Sequence, residues 1–197
     1  MTTPADPAAH SFMRYRTPDQ ALGPFFPLKR RHVEGWDLTL IDGADGIAQG
    51  EIIEVTGRIL NCNGDPVSGA ALTIWQANTF GRYVHPCDTN PAALDPNFIG
   101  SADVRSGEDG VYRIKTIKPG AYPAGPNWTR PPHIHFEVHG RFERLVTQMY
   151  FPDEPLNGCD RLLNSAPRRD LLIAAPILQP DQAVHRSLNF DIVLLRG

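Results

Sequence analysis

The sequence predicts an all-β protein, an antiparallel β-sandwich core with long irregular loops and little helix. Three observations carry this expectation. Apolar residues recur in short runs rich in Val, Ile, Thr and Tyr, the pattern of half-buried strands. Turn formers are spread over the whole chain, with 19 prolines and 17 glycines in 197 residues, which leaves little room for long helices. No internal repeat is present, so roughly eight short strands must bury one another.

Taken in order, residues 1–16 are polar, small and proline-containing, and read as an N-terminal arm ahead of a single domain over 17–197. Residues 17–27 hold too many prolines for a helix, and Phe25 and Phe26 should pack against the main body. Lys29, Arg30 and Arg31 make a short basic cluster, read as a solvated turn. Leu38, Leu40 and Ile41 open the strand pattern, and a Gly/Asp turn follows over 42–46. Residues 51–60 (EIIEVTGRIL) form the first long strand. Asn63-Gly64-Asp65-Pro66 turns the chain, because Asn-Gly accepts positive φ and Pro pre-sets its own. Residues 70–76 (AALTIWQ) return as a strand. The stretch 77–97 has little periodicity, and ordered loops of that length are commonly functional. A turn at 107–110 leads into the strand over Val111, Tyr112, Ile114, Thr116 and Ile117. A Pro/Gly-rich loop then carries Tyr122, Trp128 and Arg130 to a strand opening His133-Ile134-His135-Phe136. Strands over 145–151 and 189–195 follow, with one short helix inside 161–172.

Composition narrows the function. A hydrophobic fraction of 41% and a charged fraction of 21% are ordinary for a globular domain. The net charge of -3 gives no basic field, so nucleic acid is not an expected partner. Cys62, Cys87 and Cys159 are odd in number and widely spaced, which argues against a disulfide framework or a zinc–thiolate site and for reduced thiols. No apolar run follows a basic start, and none approaches the ~20 residues that cross a bilayer, so a cytoplasmic protein without membrane contact is expected.

The chemistry-bearing residues gather near His133. On a strand, His133 and His135 share a face about 7 Å apart. A lone histidine is usually structural, but a His-x-His pair beside a loop rich in Tyr and Arg points to a metal, with Zn, Cu and Fe all open on imidazoles alone. Glu137 and His139 share the same face, yet groups strung along an extended strand cannot converge on one ion beyond two neighbours. Further ligands must come from elsewhere. Tyr83, after the strand ending at Gln76, and Tyr122 are candidates. Each alone would be an ordinary half-buried aromatic, but a phenolate is a hard anionic ligand suited to ferric iron.

Several motifs occur together and in order: Trp75-Gln76-Ala77-Asn78, Gly81-Arg82-Tyr83, Leu94-Asp95-Pro96-Asn97-Phe98, Thr116-Ile117-Lys118-Pro119-Gly120, Tyr122-Pro123, Arg130-Pro131, His133-Ile134-His135-Phe136, Thr147-Gln148-Met149-Tyr150-Phe151 and Phe190-Asp191-Ile192-Val193-Leu194. With them the chain resembles the intradiol ring-cleavage dioxygenases over about residues 15–197, most of all the iron-bearing β type of protocatechuate 3,4-dioxygenase chain. The resemblance implies a non-haem Fe(III) cofactor held by Tyr83, Tyr122, His133 and His135. Tyr122 would be the axial tyrosine that leaves when substrate arrives, and Tyr83 the one that stays. Arg130 would steady negative charge on the substrate ring, and Gln148 would line the site. The implied reaction inserts O2 between the two hydroxylated carbons of a catechol-type substrate to give a cis,cis-muconate. Ala124-Gly125 stands where protocatechuate enzymes usually carry Trp-Arg, which opens the expectation to another substituted catechol. Thr17 to Pro24 (TPDQALGP) is similar to the start of an α-type chain, so a homo-oligomer is expected, with a hetero-oligomer containing an α-like chain as the other arrangement. The alternative function is a catalytically inactive β-sandwich binding or scaffold module that has kept the metal motif. A third reading, an Fe(II) oxygenase of the cupin kind, lacks the Gly-x-Glu and distant His expected downstream.

Overall fold

The computed structural model describes residues 13–28, 36–41, 43–178 and 185–197. Most of the expected N-terminal arm, the basic cluster at 29–31 and Asp42 of the expected turn lie outside the described residues.

Two sheets pack face to face. The first is built on β1 (Ile52–Asn61), with β4 (Val111–Ile117) antiparallel on one side. The other side of β1 takes two short strands in succession, β10 (Arg186–Asn189) and β11 (Ile192–Leu194), both parallel to it. A short β9 (Ala175–Pro176) pairs with β10. The second sheet is antiparallel throughout, in the order β3 (Ser101–Arg105), β2 (Ala71–Trp75), β7 (His133–His139) and β8 (Arg144–Tyr150). A separate hairpin joins β5 (Tyr122–Gly125) to β6 (Trp128–Arg130). Among the described residues, helix is confined to α1 (Arg161–Ser165) and two 3-10 turns, Pro155–Cys159 and Arg169–Leu172. The β-sandwich with little helix is the expected one. It differs in detail: the parallel edge of β1 joins distant parts of the chain, and the region around Leu38 to Ile41 forms only isolated bridges, Asp37 with Lys115 and Leu40 with Ile47. Among the described residues no helix is long and apolar enough to cross a membrane.

The core lies between the sheets. Ile53, Val55 and Ile59 of β1 and Ile114 of β4 meet Leu72 and Ile74 of β2, Ile134, Phe136 and Val138 of β7, and Met149 of β8. Strand alternation makes this possible, since even-numbered residues of β7 face inward. The odd-numbered His133, His135 and Glu137 face the other way, yet they are buried too. Something must therefore cover the outer face of this sheet.

The break between β10 and β11 has a steric cause. A Cβ on Gly57 would lie 1.9 Å from the Phe190 carbonyl oxygen, so only glycine lets that carbonyl approach. The same oxygen accepts the Tyr112 hydroxyl at 2.6 Å, and Asp191 Oδ1 accepts the Arg58 N–H at 3.0 Å in place of a ladder carbonyl. Gly57→Ala is therefore expected to destabilise the protein by about 3 kcal/mol or more, by forcing β10 and β11 off β1. Chemical denaturation checks this, and an unchanged midpoint would contradict it.

Candidate metal centre

The covered outer face of the second sheet carries the expected residues. Cross-strand register sets Trp75, His135 and Gln148 in one row, and His133 beside Tyr150 in the next. The Trp75 and His135 rings stack at 4.7 Å and 10°. Tyr122 opens β5 directly opposite Arg130 on β6, so the hairpin brings one phenol and one guanidinium over the sheet together. Tyr83 arrives from the long loop 77–97. That loop is held by its own short polar side chains: Asn78 Oδ1 accepts the Phe80 and Arg82 N–H groups at 2.9 and 3.0 Å, and Asp88 Oδ2 accepts the Tyr83 N–H at 2.7 Å.

Four donor atoms converge. His133 Nε2 lies 3.2 Å from His135 Nε2, 3.5 Å from the Tyr83 hydroxyl and 3.4 Å from the Tyr122 hydroxyl. His133 Nδ1 lies 2.7 Å from the Pro131 carbonyl oxygen, which can only accept. Nδ1 therefore carries the proton, and Nε2 turns a lone pair toward the other three donors. His135 is oriented by its stack on Trp75, because its buried Nδ1 has no partner among the described residues.

The electrostatics suit a cation. Burial, with help from Arg130, pushes His133 down to about 3, and burial with His133 and Arg130 pushes His135 well below the ordinary imidazole value. Both rings are thus neutral ligands at neutral pH. Burial raises the Tyr83 phenol well above its ordinary value and raises Tyr122 as well. Arg130 offsets burial at both phenols only in part, so their ionisation needs a further positive charge, which a polyvalent cation at the convergence point would supply. Among the described residues no group of three or more His, Cys, Asp or Glu gathers, so a metal here must draw on the phenols. Two neutral imidazoles and two phenols that ionise together fit a hard ferric ion better than soft or thiolate-seeking metals.

Arg130 sits beside this group, 4% exposed. Its Nε–H donates to Asp160 Oδ2 at 2.7 Å, and Nη2 donates to Gln148 Oε1 at 2.7 Å and to the Tyr150 hydroxyl oxygen at 3.0 Å. Gln148 Nε2 in turn donates to the Ala21 carbonyl at 2.7 Å, so both ends of that amide are engaged. Glu137 is turned to Arg144, whose Nε and Nη2 lie 2.7 and 2.6 Å from its Oε1, and His139 lies at the exposed end of the strand.

Residues 17–26 form the cover. Thr147 Oγ1 donates to the Pro18 carbonyl at 2.9 Å, and the Gln20 N–H donates to the Val146 carbonyl at 2.8 Å. The segment then crosses His135 at Gly23, where φ is +75° and a Cβ would lie 3.3 Å from the imidazole Cε1. Phe25 packs on Tyr83 at 4.7 Å, and Phe26 meets the Trp75 ring edge-on at 5.0 Å, which is the packing expected of this pair. A cleft of about 770 Å³ lies behind Phe25, Trp75 and Tyr83, lined further by His85, Leu94 and Phe98; it shares those walls with the donor group and does not include Arg130 or Gln148.

Sequence reasoning assigned no site role to Trp75, Tyr150 or Asp160, and it expected residues 17–26 to pack on the body without placing them over the donor group. Tyr150 could have been found from its place two residues after Gln148 on one strand face. Asp160 carries the signal of a helix N-cap before Leu162 and Leu163, but nothing in the sequence links it to Arg130.

The fold and the donor set define a class: a β-sandwich protein with a candidate mixed tyrosine–histidine metal centre on the outer face of one sheet. A family model described as Dioxygenase (Dioxygenase_C) matches residues 23–196. The chain belongs to the intradiol ring-cleavage dioxygenase family, whose members generally carry non-haem Fe(III). It is 47% identical over 165 residues to the protocatechuate 3,4-dioxygenase beta chain of Burkholderia cepacia, covering 80% of this chain and 70% of that one. It is 32% identical over 188 residues to the alpha chain from the same organism, covering 90% of this chain and 91% of that one. Among solved structures, the dioxygenase domain of a dioxygenase–carbohydrate-binding fusion from Streptomyces sp. SirexAA-E superposes with a TM-score of 0.70 at 28% identity, covering 93% of this chain and 100% of that one.

Proposed function

We propose that residues 17–197 act as one catalytic unit, a non-haem Fe(III) dioxygenase that opens a catechol-type ring between its two hydroxylated carbons and yields a cis,cis-muconate. The observation that carries this reading is the convergence of Tyr83, Tyr122, His133 and His135 through His133 Nε2, at 3.2–3.5 Å, beside the buried Arg130. Ferric iron bound by these four side chains would act as a Lewis acid for both catechol oxygens and draw electron density from the ring toward O2.

The chain's own residues divide the remaining tasks. His133 and His135 stay neutral and fixed, one by the Pro131 carbonyl and the other by Trp75. Tyr83 is 3% exposed on a loop pinned at its own N–H, which suits a ligand that stays. Tyr122 is 9% exposed on a two-stranded hairpin outside both main sheets, which suits a ligand that lets go. On release its phenolate oxygen can take a proton from the incoming catechol, whose two hydroxyls must both ionise to chelate a metal. Arg130 keeps Nη1 free of any partner among the described residues, leaving one edge of the cation for negative charge on the substrate. Gln148, engaged at both ends, orients Arg130 and ties it to the cover at Ala21. Phe25 and Trp75 exclude water from the centre.

Support for the substrate class comes from the relatives, which include both chains of a protocatechuate 3,4-dioxygenase. At the hairpin tip Ala124 and Gly125 are exposed and small, so protocatechuate or a bulkier substituted catechol is the expected ligand. Likeness to both chain types favours a homo-oligomer that supplies both roles from one sequence, with an α-like second chain as the other arrangement.

Oxygen uptake by the iron-loaded protein across a panel of catechols, with product identification, tests the reading. One O2 per catechol and a muconate product are expected. Absence of uptake with every catechol, or a yellow semialdehyde, would overturn it. Tyr122→Phe should keep iron and lose at least ~10-fold in kcat, because the group that receives the first proton is gone. Iron analysis beside steady-state kinetics checks this, and loss of the metal in that variant would contradict the division of roles.

A further inference from the structure

Arg130 is a buried cation whose direction is set by one partner more than by any other. Its ion pair with Asp160 has side-chain exposures of 5% and 0%. The second oxygen of Asp160 is used as well: Oδ1 accepts the Leu163 N–H at 2.7 Å and caps α1. One carboxylate thus joins the start of α1 to the guanidinium on β6. With Nε held by Asp160 and Nη2 shared by Gln148 and Tyr150, the planar fork has a single orientation and, among the described residues, one free edge, Nη1. A guanidinium on a three-methylene stem would otherwise sample several rotamers, and stabilisation of developing charge depends on donors fixed beforehand.

We infer that Asp160 is a positioning residue for the proposed ring cleavage: it never touches substrate, and it acts by holding the free edge of Arg130 in place. This rests on the intradiol reading above. Asp160→Asn separates the two tasks of the carboxylate. An asparagine oxygen still caps α1 as well as aspartate does, while its amide nitrogen cannot accept the Arg130 Nε–H.

The test has three readouts, the second and third on the iron-loaded protein. On protein loaded with diamagnetic Ga(III) in place of ferric iron, side-chain 15N spectra, assigned by comparison with Arg130→Gln, should show a slowly exchanging Arg130 Nε–H that disappears in Asp160→Asn. Iron content and the visible spectrum should not change, whereas kcat/KM for the best catechol should fall about 10–100-fold, mostly in kcat, the scale on which loss of an orienting partner is felt. In an Arg130→Gln background the same Asp160 change should add less than about 3-fold, since its effect passes through Arg130. A persisting Nε–H signal, a kcat/KM within about 3-fold of wild type, or an undiminished effect in the Arg130→Gln background would each overturn the inference. If Asp160→Asn alone fails to fold, the double variant, which buries no unpaired charge, still gives the last comparison. A wild-type protein that consumes no O2 with any catechol defeats the proposed function instead, and the Nε–H signal still decides whether Asp160 holds Arg130.

Discussion

His133→Ala should abolish iron binding at stoichiometric concentrations and with it any oxygen uptake. The other three converging donors lie within 3.5 Å of His133 Nε2, so its removal opens the middle of the group. Loss of a group that merely orients a ligand lowers metal affinity by about 10–100-fold, and loss of the ligand itself should exceed that. Stability should fall by about 2–4 kcal/mol as well, because the buried Pro131 carbonyl loses its donor and a cavity opens beneath Tyr150. The matched control is His139→Ala. That side chain is 48% exposed and faces Glu137, so neither iron content nor turnover should move. Metal analysis of both variants after identical loading is sufficient. Equal iron in His133→Ala and wild type would remove the imidazole pair from the centre.

Arg130→Gln should give the second large effect, on stability and turnover together but not on iron. It leaves Asp160, which is 0% exposed, as a buried carboxylate without a cation; breaking one partner of such a pair costs about 3–5 kcal/mol. At about 2–4 °C per kcal/mol for a chain of this size, the melting temperature should drop by roughly 6–20 °C. Removing one preorganised charge from a buried site should lower kcat/KM by about 10²–10³-fold. The double variant Arg130→Gln, Asp160→Asn separates the two consequences: stability should recover in large part, activity should not. Calorimetry and oxygen uptake on the same preparations check this. Recovery of turnover in the double variant would show that Arg130 serves the fold rather than the substrate.

Local pattern made much of this molecule legible. The β-branched runs at Ile52–Asn61 and Val111–Ile117 became β1 and β4, and the His-x-His spacing placed both imidazoles on one face of β7. Long-range contacts hid the rest. Ser101–Arg105 reads SADVR, too polar to announce a strand, and exists because β2 offers it a partner. The Pro/Gly stretch after Tyr122 reads as a loop but closes as the β5–β6 hairpin, with a register irregularity between Pro123 and Gly125. The C-terminal strand expected over 189–195 shortens to β11, and β10, which the pattern did not announce, precedes it, the two separated where the Phe190 carbonyl turns to Gly57 and Tyr112.

The site followed the same division. Donor types and their order along the chain pointed to a mixed tyrosine–histidine group, since few metals favour that combination. The surroundings did not show in the sequence. Asp160 meets Arg130 across 30 residues, and Thr147 holds Pro18 across 129. No periodicity encodes such pairs. They arise because a buried guanidinium needs a carboxylate, and because the outer face of the β7 strand needs a cover.

The visible spectrum of the purified protein loaded with one ferric ion per chain tests the central claim most directly. Tyr83 and Tyr122 as phenolate ligands predict a broad tyrosinate-to-iron charge-transfer band and a burgundy protein, with the band altered in Tyr83→Phe. A colourless protein that takes up zinc stoichiometrically in place of iron would contradict it.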